Sequence, residues 1–194
     1  STKEYDEWLA QMGPSELESP RILSVRKAWA SRTGDFAEWK RLDGIQPYFD
    51  GDDTPHSSQA LDAAMALAAQ GDLAAARARL ADLPAEVKSA IQLEPANASL
   101  WSKLAEMEAL LGQKEEALRD ARKVVELVPE SLDPNVDVNR STLAVVYAWI
   151  GNKDGAIAEL SRLIRMPGDM GGVSVHTTRT NPQFFPLRGD PRFE

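Results

Sequence analysis

The sequence predicts an all-α protein, a superhelical solenoid of antiparallel helix pairs that ends in a non-repeat C-terminal tail. Four glycines, at positions 34, 71, 112 and 151, recur at intervals of 37, 41 and 39 residues. A period of this length is typical of stacked-helix repeats. The stretches on either side of these glycines carry apolar residues at helical spacing. Repeats of this kind usually bind other molecules rather than transform them, so the spacing favours an interaction function.

The N-terminal region, residues 1–56, is predicted to hold a degenerate helical repeat and a loop. Apolar stripes favour helices over 3–12 and 21–31, and a third helix over 35–43 follows Gly34. The last part of the region is polar and contains two prolines and several acidic residues, which are typical of a loop.

Three repeats are predicted over 57–167. They occupy residues 57–83, 98–129 and 137–167. The expected helices cover 57–70, 72–83, 98–111, 114–128, 138–150 and 153–165, and a shorter helix over 85–93 extends the first of these pairs. Alanine, the residue with the highest helix propensity, dominates the first repeat and lets its helices approach closely.

Each predicted turn uses the same chemistry. Glycine tolerates the left-handed conformation that ends many helices. The next residue then caps the following helix, because Asp35, Asp72 and Asn152 carry side-chain oxygens that accept hydrogen bonds from free backbone N–H groups. Gln113 is expected to be a weaker cap in the repeat over 98–129.

The tail over 168–194 differs from the repeats. It begins with several glycines, shows β-like alternation over 173–178 and ends in a segment rich in Pro and Phe. Phe184, Phe185 and Leu187 are apolar residues without a core of their own. Because an open solenoid end must be capped to stay soluble, the tail is predicted to fold back over the last helix pair.

The segment over 98–129 resembles a tetratricopeptide repeat. The matching residues are Trp101, Leu104, Ala105, Gly112, Ala117 and Pro129, while Glu108 stands where the family has a large aromatic residue. The following pair supplies Leu143, Ala144, Tyr147, Gly151, Ala156 and Leu160. The resemblance implies a noncatalytic scaffold for protein–protein interaction.

The tail is similar to the end of tetratricopeptide modules in bacterial signalling proteins, where such modules follow adenylate cyclase, Ser/Thr kinase or winged-helix domains. The matching segments are Asn181-Pro182, Phe185-Pro186-Leu187-Arg188 and Asp190-Pro191-Arg192-Phe193, with Asn181 in place of an Asp. This resemblance implies a module that regulates or scaffolds an effector domain placed upstream.

Composition excludes several functions. The net charge is −8 and the chain has no long basic run, so direct binding of nucleic acid is not expected. The chain has no cysteine, which rules out disulfides, thiolate metal sites and a cysteine nucleophile. The longest apolar run, over 143–150, is too short to span a bilayer.

Catalytic, cofactor and metal sites are not predicted. His56 follows an acidic loop with Asp50, Asp52 and Asp53, but the acids lack the ligand spacing of a calcium loop. His176 has no acid placed to orient it. The alternative is an enzyme on a helical scaffold, which would need an acid, a base or a nucleophile clustered in a cleft.

The predicted binding surface is the concave wall formed by the first helix of each pair. Its residues are Ser102, Glu106, Leu110, Thr142, Val145 and Trp149. Trp149 is a residue type enriched in binding hot spots, although it could instead pack against a neighbouring helix or the tail. The expected partner is a protein or peptide with apolar or basic side chains, or the protein's own upstream domain. In the latter case the module would be purely intramolecular and autoregulatory.

Overall fold

The computed structural model describes residues 2–33, 35–45, 56–128, 141–165, 178–179 and 181–194. Every regular element in these ranges is a helix, which confirms the all-α prediction. The chain forms two compact units, residues 1–53 and residues 54–194.

The described residues of the N-terminal unit form four helices. They are α1 (Thr2–Leu9), α2 (Pro14–Leu17), α3 (Pro20–Thr33) and α4 (Phe36–Ile45). Helices α3 and α4 pack together and bury Leu23, Trp39 and Leu42. Helix α2 was not predicted. Pro14 occupies the first turn of α2, where its missing N–H costs nothing.

The C-terminal unit contains the three predicted helix pairs. Its helices are α5 (His56–Ala69), α6 (Leu73–Leu80), α7 (Leu83–Leu93), α8 (Ala98–Leu111), α9 (Lys114–Leu127), α10 (Thr142–Trp149) and α11 (Lys153–Leu163), followed by a 3-10 helix (Pro182–Leu187). We call α5/α6 hairpin A, α8/α9 hairpin B and α10/α11 hairpin C, because the two helices of each pack together across a short turn. The helix predicted over 138–150 is described from Ser141 onward, as a turn and then α10.

The glycine turns form as predicted. Gly71, Gly112 and Gly151 have φ angles of 88°, 86° and 89°. In each turn the N–H of the residue after the glycine donates to the carbonyl five residues earlier, at 2.8–3.0 Å, which is the Schellman arrangement. Asp35 donates in the same way to Ala30 at 2.9 Å, although Gly34 itself lies outside the described residues.

The predicted caps also form. Carboxylate or amide oxygens of Asp35, Asp72 and Asn152 accept hydrogen bonds from the backbone N–H three residues later, at 2.9–3.1 Å. Gln113 makes no such side-chain bond, as expected of the weaker cap. Each capped turn satisfies backbone groups that a helix end leaves unpaired.

Successive hairpins pack against one another. Helix α8 packs against α5, α6 and α7, and α10 packs against both helices of hairpin B. Between hairpins A and B, Arg77 Nε donates to the Leu110 carbonyl at 3.1 Å, near the end of α8. The small residues predicted at the helix crossings, Ala105, Ala117, Ala144 and Ala156, are all fully buried.

Candidate functional site

The C-terminal tail crosses the first helices of all three hairpins. Its 3-10 helix packs against α5 of hairpin A and α10 of hairpin C. The side chain of Gln183 reaches α8 of hairpin B, where Nε2 donates to Glu106 at 3.3 Å. We call the surface formed by α5, α8 and α10 the groove. The tail was predicted to fold back over the last helix pair; its 3-10 helix contacts α10 of that pair and also reaches the other two hairpins.

Two apolar side chains anchor the tail in the groove. Phe184 is 3 % exposed and Leu187 is fully buried. Both belong to the main apolar core of the unit, together with Met65 of α5, Leu110 of α8 and Val145 of α10. Burying two side chains of this size stabilises the docked tail by several kcal/mol, at about 1.5–3 kcal/mol each.

The six predicted wall residues lie on α8 and α10, two of the three helices that form the groove. Leu110 and Val145 are core residues, and Trp149 packs against the core and is half-buried. Ser102, Glu106 and Thr142 are buried and meet in one polar cluster. That these residues bind a separate partner stays a prediction, because the tail occupies the groove they line.

This polar cluster links three elements. Ser102 Oγ of α8 lies 2.6 Å from Thr142 Oγ1 of α10, and it donates to Glu106 Oε1 at 3.3 Å. The second carboxyl oxygen of Glu106 accepts the hydrogen bond from Gln183 of the tail. A continuous hydrogen-bond chain therefore joins hairpin C, hairpin B and the tail.

Burial controls the protonation of Glu106. Loss of hydration, followed by the negative charge of Asp62, raises the pKa of Glu106 to about 8. The hydrogen bonds from Ser102 and Gln183 and the charge of Lys103 act in the opposite direction. At neutral pH the side chain is therefore mostly the uncharged carboxylic acid.

Trp149 is half-buried and lies against the core. It packs against both apolar clusters of the C-terminal unit. Its indole Nε1 is buried and has no hydrogen-bond partner among the described residues. Of the two interpretations of Trp149, this placement agrees with packing against neighbouring elements.

The end of the tail closes on itself and on hairpin C. Arg192 donates to both carboxylate oxygens of Asp190, through Nε at 3.0 Å and Nη2 at 2.8 Å. These bonds lower the pKa of Asp190 to about 2. Arg192 Nη1 also donates to Asp154 of α11 at 2.8 Å. The Asp-Pro-Arg-Phe segment thus forms a local turn that is tied to α11 by Arg192, and its Phe193 packs against the main apolar core.

A second buried cluster was missed by sequence reasoning. The Glu108 side chain is inaccessible to solvent, and Lys88 Nζ of α7 lies 3.0 Å from its Oε1. Burial and the adjacent Asp120 carboxyl raise the pKa of Glu108, while Lys88 opposes this effect. Asp120 is itself paired with Arg119 at 2.8 Å. Glu108, which stands where the family has an aromatic residue, thus has an ionic contact with α7, while neither of its buried oxygens has a partner with hydrogen-bond geometry among the described residues.

Other candidate chemistry is limited in the described ranges. His176 and the acidic loop over 46–55 lie outside them, and the side chain of His56 is not described. Among the described residues, no group of His, Asp and Glu side chains could hold a metal ion. In the same ranges no helix has the length and apolar character required to cross a bilayer.

We compared the chain with protein-family models, with curated proteins and with solved structures, and none of the three comparisons gives a match.

Proposed function

We propose that this chain is a noncatalytic helical-repeat scaffold of the tetratricopeptide type, whose groove binds a protein or peptide segment. The observation that carries this proposal is the occupied groove. A segment of seven residues, Asn181–Leu187, lies across α5, α8 and α10 and buries Phe184 and Leu187. A surface that accommodates this segment has the shape and apolar character to accept another of similar chemistry.

The repeat architecture is supported by three features that the hairpins share. Each turns at a left-handed glycine, each has a buried alanine on its second helix, and in hairpins B and C the first helix packs against the preceding hairpin. One helix pair cannot bury its apolar face alone, so stacking is the physical reason for repeating the unit.

The tail gives this scaffold a means of regulation. A partner that uses the groove must displace Asn181–Leu187. Its apparent affinity is therefore its intrinsic affinity multiplied by the fraction of molecules in which the tail is undocked. A purely intramolecular role is the second candidate function. In that case the tail is the permanent occupant, and the docked tail itself would present the surface that acts on an upstream domain.

Binding of the tail sequence in trans tests the proposal. A fluorescent peptide with the sequence of residues 178–194 is titrated into the full chain and into its Leu187→Ala variant, and anisotropy is measured. The variant should bind the peptide at least about tenfold more tightly, because its own tail competes less well.

The control is the same peptide carrying Phe184→Ala and Leu187→Ala, which should bind neither chain. If circular dichroism shows a folded variant and the unmodified peptide still fails to bind, the groove is not an exchangeable binding site. That result would leave the intramolecular role.

A further inference from the structure

We propose that Ser102, Glu106 and Thr142 form a polar subsite that selects the occupant of the groove by charge, accepting an uncharged amide or a cation at the position of Gln183 and rejecting a carboxylate. The partner class is thus a neutral or basic segment with an aromatic residue directly after this position and a leucine four residues after it. This inference rests on the proposed function, because it concerns the same groove.

The orientation of the Gln183 amide is fixed from both sides. Its Oε1 accepts a hydrogen bond from Asn181 Nδ2 at 2.9 Å, so its NH₂ group faces Glu106 Oε2. Asn181 is held in turn, because its Oδ1 accepts from the Gln183 backbone N–H at 3.0 Å. The tail therefore presents a donor to Glu106 Oε2.

The subsite meets the tail through a carboxyl oxygen of Glu106, which accepts the hydrogen bond from Gln183. Glu106 is 6 % exposed, and Ser102 and Thr142 are also buried, so water cannot replace a missing partner. A carboxylate at position 183 would leave a negative charge in this buried site whichever of the two carboxyl groups held the proton, whereas the Gln183 amide leaves none.

The surrounding charges act in the same direction. Asp62 of α5 adds a negative potential at Glu106, while Lys103 of α8 offsets part of it. A cation at position 183 would pair with ionised Glu106, whereas an amide bonds to its uncharged form. The requirement for an aromatic residue and a leucine in the partner segment comes from Phe184 and Leu187. These residues follow Gln183 by one and four positions, and both belong to the core.

The test uses the full chain with Gln183→Lys, Gln183→Glu and Gln183→Met, each with Glu106 present and with Glu106→Gln. Docking is measured as hydrogen-exchange protection of the Phe184 and Arg188 amides, which donate to backbone carbonyls within the tail. With Glu106 present, protection in the Lys variant should exceed that in the Glu variant at least about thirtyfold. With Glu106→Gln the ratio should fall at least tenfold. The Met variant removes the hydrogen bonds without adding charge and should lie between the other two.

The inference would be overturned if the ratio of protection between the Gln183→Lys and Gln183→Glu variants were unchanged by Glu106→Gln. It would also be overturned if the Gln183→Glu and Gln183→Met variants were equally protected. A matching set of trans peptides separates this inference from the proposed function. Peptides that bind without charge discrimination would refute the charge selection and leave the binding function in place. Discrimination in the intact chain without any peptide binding would retain the subsite and refute the exchangeable groove.

Discussion

Replacing Glu106 by Gln should stabilise the protein, and the gain should increase with pH. In the wild type, burial favours the protonated carboxyl, whose pKa is about 8 in the fold against an ordinary 4.5. The folded state therefore binds more protons than the unfolded state between these two pH values, and stability falls as pH rises through this window. The amide of Gln has no such dependence and can keep hydrogen bonds to Ser102 and Gln183.

The magnitude follows from the two pKa values. At about 1.4 kcal/mol for each unit of pKa, the cost of ionising Glu106 on folding is about 1 kcal/mol at pH 5, about 3 kcal/mol at pH 7 and about 5 kcal/mol at pH 9. Glu106→Gln removes this cost. Its free energy of unfolding should therefore exceed that of the wild type by an amount that grows by about 4 kcal/mol from pH 5 to pH 9.

Urea unfolding followed by circular dichroism at pH 5, 7 and 9 measures this difference. Glu86→Gln is the matched control, because it makes the same chemical change at an exposed position on α7 and should show no such growth. If the advantage of Glu106→Gln were constant over this range, Glu106 would not be held protonated by its surroundings. The hydrogen bonds that link Thr142, Glu106 and Gln183 would then be made by an ionised Glu106.

Three further substitutions test the packing of the C-terminal unit by urea unfolding. Leu187→Ala empties a fully buried site and should lower the free energy of unfolding by about 2–5 kcal/mol, so a loss below 1 kcal/mol would contradict the docked tail. Ala117→Leu overpacks the crossing of hairpin B and should cost about 1–3 kcal/mol, and an unchanged midpoint would contradict that crossing. Gly71→Ala has open space for the new methyl group but keeps φ at 88°, so it should cost about 1–2 kcal/mol through the backbone alone. Gly13→Ala is the control for the effect of φ, because Gly13 has equal space for a methyl group but a φ of −73°. It should lack the backbone cost of Gly71→Ala.

The turns of the C-terminal unit could be predicted because the interactions that form them join residues close together in the sequence. A glycine that ends one helix and a polar residue that caps the next lie within a few residues of each other. The sequence alone therefore predicts the turns at Gly71-Asp72 and Gly151-Asn152. The short helix α2 was missed for the complementary reason. Pro14 is compatible both with ending a helix and with beginning one, and four residues carry too little periodicity to decide.

The groove could be predicted only in part. The sequence placed Ser102, Glu106 and Thr142 on the same wall, because helical spacing determines which residues share a face. It did not predict their burial, since the Gln183 that covers Glu106 lies 77 residues further along the chain. A contact at this separation depends on the path of the tail.

Glu108 shows a different limit. The resemblance to a tetratricopeptide repeat predicts a large aromatic residue at this position, and the structure has the Glu108 side chain fully buried there. The ion pair with Lys88 depends on the packing of α7 against α8, which no local pattern encodes. A charged residue at a core position was therefore visible in the sequence, while its partner was not.

The contact of one short 3-10 helix with both α5 and α10 has a mechanical consequence. Hairpins A and C lie on either side of hairpin B in the chain, and the bulk of Phe184 and Leu187 helps to set the distance between their first helices. The tail is thus a spacer as well as a cover. Any segment of different width in its place would change this distance, because packed side chains do not compress. The separation of the outer hairpins would then report which segment the groove holds.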